Sequence, residues 1–279
     1  MLNASGTFDA IAARRAFGDE VLERFPFSAF VSKTITSAPR PGNSPPRLFE
    51  SAGGMVNSIG LPNKGLAGFL ADDLPQLGEL PVPLIVSVMG TSREQFAELV
   101  AGLAEREQVA GFELNVSCPN VESGLIVGEQ PSETEALVES LRALTPKPLI
   151  VKLTPNVADP APIAEAAERG GADAVSMINT LKAAPADPLS GLPWLGAGSG
   201  GLSGPSVRAV ALHGVRRVAG AVSIPVIGMG GIETGRDAAE FLAAGALAIA
   251  VGTASFRDPM AGERIARELA ELRPEGATE

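Results

Sequence analysis

The sequence predicts a (β/α)₈ barrel, on three observations. Apolar runs of strand length recur eight times, segments of helical periodicity separate them, and the runs are apolar throughout rather than alternating. Strands buried on both faces have that Val- and Ile-rich character, which belongs to parallel sheets. Eight of them alternating with helices over about 250 residues close into a barrel.

In order, the chain opens on "MLNAS", the tail of a first strand. The others are "AFVSK" (29–33), "PLIVSVMG" (83–90), "GFELNVS" (111–117), "PLIVKL" (148–153), "ADAVSMIN" (172–179), "IPVIGMG" (224–230) and "LAIAVGT" (247–253). Helices are expected over 92–106, 132–144, 159–169, 205–219, 234–244 and 258–272. Thr91, Asp159 and Thr234 stand where caps belong. Two long connections, 34–80 and 180–204, are rich in Gly, Pro and Ser, so turns rather than helices are expected in them. Connections that long are more often functional than idle. No linker is visible, and 1–279 reads as one domain. An open doubly wound sheet is the alternative, but no G-x-G-x-x-G follows the first strand.

Composition narrows the function. The 279 residues are 45% hydrophobic and 19% charged, enough to bury a sizeable core. A net charge of −10 without a basic stripe argues against nucleic acid and against docking on anionic lipid. The longest apolar run, "FLAAGALAIAVGTASF" (241–256), is too short to span a bilayer, and the start lacks the pattern of a signal peptide. The single cysteine, Cys118, excludes an internal disulfide and any iron–sulfur cluster held by this chain alone, which fits a reducing cytoplasmic setting. No metal site is expected. With one histidine, His213 on a helix-like stretch, and no tyrosine, histidine acid–base chemistry has little to work with.

Polar residues gather where the strands end. In order these are Ser5 and Gly6, Lys33, Ser87, Asn115 with Cys118, Lys152, Asn179 with Thr180, Gly230 with Gly231, and Gly252 with Thr253. In a barrel they would meet on one rim, the rim that hosts active sites. Singly, each has a plain structural reading: a strand-end lysine snorkels, an asparagine forms a turn, a lone cysteine packs as a small apolar group. Eight in succession favour a ligand. The glycines of "GGLSG" (200–204), "GMGGI" (228–232) and "VGTASF" (251–256) point to a phosphate, because backbone N–H groups reach one only where no Cβ intervenes.

The motifs "SKTITSAPRPGNSPPR", "GGMVNSIGLPNKG", "NVSCPN", "VKLTPN", "MINT", "GGLSGP" and "IPVIGMGGI", in this order over nearly the whole chain, resemble class 1 dihydroorotate dehydrogenases. "SCPNVESGLIVGEQP" and "GNSPPRLFE" are most similar to the NAD-linked 1B catalytic subunit. The resemblance implies an FMN-containing barrel that oxidises dihydroorotate to orotate in pyrimidine (UMP) biosynthesis. It implies Cys118 as the base at C5 of the dihydropyrimidine while C6 gives hydride to flavin N5. Lys33, Asn57, Ile59, Gly60, Leu61, Asn115, Asn120, Asn179 and Thr180 would bind substrate. Ala4, Ser5, Gly6, Lys33, Thr34, Ser87, Asn115, Lys152, Ile178, Gly204, Gly230, Gly231, Gly252 and Thr253 would bind one FMN. A partner subunit carrying FAD and a [2Fe–2S] cluster would pass electrons to NAD, around a homodimer of barrels.

The chemistry of these residues suits those roles. A thiol with a pKa near 8.5 is a workable base close to neutral pH. A fixed lysine stabilises negative charge where it develops on a flavin. Asparagines offer both donor and acceptor to an imide ring. Relative to the family, the chain is N-terminally short, and Ser87 stands where many relatives have asparagine.

The rivals are a fumarate-dependent 1A enzyme, a dihydropyrimidine dehydrogenase-like flavoenzyme, a flavin-free barrel with Lys33 or Lys152 as Schiff base, and an FMN-binding barrel without turnover.

Overall fold

The computed structural model describes residues 1–117 and 127–272. Strands β1 (Leu2–Asn3) and β2 (Phe30–Val31) flank helices α1 (Ala10–Phe17) and α2 (Glu20–Glu23). Next come β3 (Leu48–Ser51), β4 (Gly54–Asn57), and the short helices α3 (Gly65–Gly68) and α4 (Leu74–Leu77), joined by a π turn. The regular alternation follows: β5 (Leu84–Val88), α5 (Arg93–Ala104), β6 (Val109–Asn115), α6 (Pro131–Arg142), β7 (Leu149–Lys152), α7 (Ala161–Arg169) and β8 (Ala174–Met177). After β9 (Leu181–Ala183) and β10 (Gly200–Ser203) it resumes with α8 (Arg208–Ala219), β11 (Val226–Met229), α9 (Gly235–Ala243), β12 (Ala248–Val251) and α10 (Ala261–Glu271).

Eight strands form one parallel sheet in the order β1-β12-β11-β8-β7-β6-β5-β2, and β2 returns to β1 through a bridge between Leu2 and Ala29. The barrel is therefore the one expected, strand for strand. Its last seam is stitched by a side chain. Asn3 is fully buried; its Nδ2 donates to Val31 O (2.8 Å) and its Oδ1 accepts from Val31 N (2.8 Å). An amide side chain thus supplies both halves of a ladder pair. Asn3→Ala strands two buried backbone groups, and we expect it to lower unfolding free energy by ~2–3 kcal/mol in urea titrations.

Alternate residues of each strand serve two cores, as the two-residue period requires. Val86, Val88, Phe112, Leu114, Val151, Val175 and Met177 face the helices, against Leu99, Leu137, Val215 and Phe241. Leu2, Val31, Ile150, Ile227, Met229 and Ala250 fill the lower barrel interior. Above them, on the same inward face, sit Ser87, Glu113, Lys152 and Ser176, all buried. The interior changes from apolar to polar within one pleat of the strands.

Two expectations need correcting. The connections 34–80 and 180–204 are not mere turns: they contribute an antiparallel sheet in the order β3-β4-β10-β9, and the first also holds α3 and α4. Secondly, the cap of α5 is Ser92, whose hydroxyl accepts from Gln95 N, while Thr91 N donates to the Gln95 side chain. Asp159 does accept from Ala161 N, and Thr234 forms a full capping box with Asp237. His213 lies on α8.

Candidate active site

The strand ends meet as expected, and hydrogen bonds tie them together. Ser5 Oγ, just past β1, donates to Ser32 O (2.8 Å) and lies within hydrogen-bond distance of Thr34 Oγ1 (3.1 Å). Thr34 Oγ1 in turn lies 2.9 Å from Ser87 Oγ on β5. On the other arc, Asn179 Nδ2 donates to Asn115 Oδ1 (3.3 Å) and Ser117 Oγ (3.0 Å), and its Oδ1 accepts from Thr180 N (2.9 Å). The two asparagines are thereby aimed by their neighbours. Ala4 N bonds Val251 O and Ile178 N bonds Met229 O, so both are fixed by the barrel ladder. Cys118 and Asn120 lie outside the described residues.

The mouth carries two lysines. Lys152, at the end of β7, is 7% exposed, and its Nζ stands 3.6 Å from Glu113 Oε1. Lys33 follows β2. Burial pushes its ammonium below the ordinary 10.5, the Lys152 charge pushes it further, and Asp9 pulls back. Two cations held close in a chain of net charge −10 make a local anion site. The lowered value makes the folded state of the ligand-free protein bind fewer protons than the unfolded chain between that value and 10.5. Stability attributable to Lys33 therefore rises with pH across that window, and below it the half-buried cation is a liability. Lys33→Met is expected to raise the urea midpoint of ligand-free protein at pH 7, with the advantage shrinking as pH approaches 10.5.

Glycines let backbones meet at the anion end. Gly204, Gly230 and Gly231 have φ of 94°, 126° and 77°. A Cβ on Gly231 would lie 2.7 Å from Gly204 O, so the loops after β10 and β11 touch main chain to main chain. Gly204 leads through a short turn into α8. Beside them Gly252 follows β12, and Thr253 Oγ1 donates to Ser203 Oγ (2.9 Å). The neighbouring Gly200 and Gly201 have another use than the phosphate contact expected of them. They lie in β10, where a Cβ would fall 2.3 Å from Asn57 O and 2.0 Å from Thr180 Oγ1. Their task is to bring β4 and the end of β8 together.

The four-stranded sheet carries the remaining expected residues. Asn57 ends β4, and its Nδ2 donates to Gly201 O (3.3 Å). In the following loop Ile59 O accepts from Asn43 N (3.0 Å), Leu61 O from Asn63 Nδ2 (2.9 Å), and Gly60 and Leu61 take φ of 75° and 51°. A cavity of about 600 Å³ opens beside Gly6 and Lys33 between Phe8, Phe30 and Phe69. A smaller one of about 180 Å³ is lined by Ser117, Asn179 and Thr180, with Thr154 and Asn156. Sequence reasoning missed Ser117, Glu113 and Ser176. Glu113 carried a signal: an acid two positions before Asn115, on the same face of an otherwise apolar strand.

The donor set suits a planar anionic cofactor such as FMN: paired lysines, strand-end hydroxyls and a cradle that side chains would fill.

The family model for dihydroorotate dehydrogenase matches residues 1–272. The chain belongs to the dihydroorotate dehydrogenase family. A relative from Pelobacter propionicus, named dihydroorotate dehydrogenase B (NAD(+)), catalytic subunit, is 47% identical over 96% of this chain and 88% of its own. One of the same name from Citrifermentans bemidjiense is 45% identical over 96% and 87%. A relative from Solibacter usitatus, provisionally named dihydroorotate dehydrogenase A (fumarate), is also 45% identical, over 96% and 88%. The crystal structure of a dihydroorotate dehydrogenase from Eimeria tenella in complex with ferulenol superposes with a TM-score of 0.76, covering 97% of this chain and 80% of that one. At 23% identity that likeness concerns the barrel fold. Among the described residues of this dihydroorotate dehydrogenase, no helix is long and apolar enough to cross a membrane.

Proposed function

We propose that this dihydroorotate dehydrogenase is the FMN-dependent catalytic subunit of an NAD-linked enzyme in pyrimidine biosynthesis. The observation that carries the reading is a rim that unites a buried and a half-buried lysine with paired asparagines, in a chain 47% identical to a B-type catalytic subunit.

FMN, when bound, supplies the hydride-accepting chemistry. The chain's own residues do the rest. Asn57, Asn115, Asn120, Asn179 and Thr180 hold the dihydroorotate ring by its amide edges, with the Ile59–Gly60–Leu61 loop beside it. Cys118 takes the C5 proton as general base. Lys33 and Lys152 offset negative charge at the mouth, and Lys152 would stabilise charge that develops on the pyrimidine part of a bound flavin. Ala4, Ser5, Gly6, Thr34, Ser87, Ile178, Gly204, Gly230, Gly231, Gly252 and Thr253 complete the cofactor site. Electrons leave through a partner subunit bearing FAD and a [2Fe–2S] cluster, bound to a homodimer of barrels in the cytoplasm.

The relative of the fumarate type keeps a second acceptor in view. The test is anaerobic addition of dihydroorotate to the yellow protein, followed by fumarate or NAD. Bleaching by dihydroorotate, with no reoxidation by fumarate and reoxidation by NAD only with the partner, is the expected result. Reoxidation by fumarate overturns the acceptor assignment; a yellow protein that does not bleach overturns the activity.

A further inference from the structure

Resting on the FMN reading above, we infer that Glu113 is a positioning residue for Lys152: it anchors that ammonium beneath the barrel mouth and offsets part of its charge, and so sets how readily the bound flavin accepts negative charge. Glu113 is 2% exposed, on β6, with Asn115 two residues further on the same face. One carboxylate oxygen, Oε2, accepts from Ser176 Oγ at 3.1 Å, which fixes the group from β8. The other, Oε1, has no hydrogen-bond partner among the described residues and faces Lys152 Nζ at 3.6 Å. Three consecutive strands of the barrel, β6, β7 and β8, thus each give one residue to the cluster.

A buried carboxylate is costly and persists where it is paired. Packing alone would favour an apolar residue, as one layer lower, where Ile150 and Ile227 fill the same inward face. The ionic pair occurs where the interior opens to the rim. Without Glu113, Lys152 would present a full positive charge there, and its repulsion of Lys33 would be opposed by Asp9 without help from β6. Glu113 is therefore the counter-charge that limits the pull of the mouth on an anion, while Ser176 keeps it from turning away.

The probe is sulfite, a small anion that adds reversibly to oxidised flavins and bleaches their visible band. It is titrated into the FMN-loaded protein without substrate or acceptor. Glu113→Gln keeps the shape and the acceptor for Ser176 but removes the charge. It is expected to tighten sulfite about tenfold, as one charge removed from a partly buried site would do. Glu113→Gln/Lys152→Met, which removes both charges, is expected to weaken sulfite below wild type. A structural role alone would not reverse the sign between these two variants. Glu113→Asp draws the charge back by one methylene; it is expected to give a smaller tightening and serves where the glutamine variant does not fold. A sulfite Kd for Glu113→Gln within about twofold of wild type, or equal shifts in the single and double variants, overturns the inference alone. A wild-type protein that takes up no flavin overturns the FMN reading, and this inference with it.

Discussion

Cys118→Ala is expected to slow anaerobic bleaching of the flavin by dihydroorotate by ~10²–10⁴-fold, with the absorbance spectrum of bound FMN unchanged. The effect is large because the reaction separates a proton from a hydride, and alanine leaves no group to take the proton. Of the side chains with ordinary pKa values near neutrality, the chain has one thiol and one histidine, and His213 lies on α8. No second cysteine can stand in. In the wild type the bleaching rate should climb with pH toward the thiol pKa and then level; in the variant that rise should vanish. Stopped-flow absorbance reads both. A variant that bleaches at the wild-type rate would remove Cys118 from the mechanism.

Lys152→Met is expected to cost ~3–5 kcal/mol of unfolding free energy, because it leaves the Glu113 carboxylate buried without its cation. Lys152 and Glu113 are 7% and 2% exposed, so solvent cannot take over the pairing. Adding Glu113→Gln should restore most of the loss, since the buried charge then disappears. Urea denaturation of the two variants without ligand measures this directly. A loss below about 1 kcal/mol for Lys152→Met would place the pair among the weakly coupled, solvated kind.

The barrel was legible because its strands are apolar on both faces, and that signature survives without any knowledge of neighbours. The cover sheet was not. β3 is half exposed, and β10 begins with two glycines whose reasons lie elsewhere in the chain, Asn57 for Gly200 and Thr180 for Gly201. Glycines that admit a neighbouring strand and glycines that admit an anion read alike in a sequence. Helix α1 is not among the helices expected from the sequence although Asp9 caps it at Ala12 N, since its 8 residues make little more than two turns of pattern. Strand-end lysines and asparagines were visible as a series, one per strand. The Glu113–Lys152–Ser176 cluster needed the stagger between adjacent strands: Lys152 is in register with Asn115 and Ser176, and Glu113 reaches it diagonally from Ile150's level.

The pairing of β1 with β12 places segments far apart in the sequence side by side. Ala4 N bonds Val251 O, and Thr7 Oγ1 reaches the same carbonyl from 244 positions away. During synthesis, the ring stays open until β12 has been made. Ser5 and Gly6 wait on one lip while Gly252 and Thr253 have yet to leave the ribosome. A prosthetic group held by both lips would thus be loaded only after β12 has joined β1, and its colour would report that the two have met.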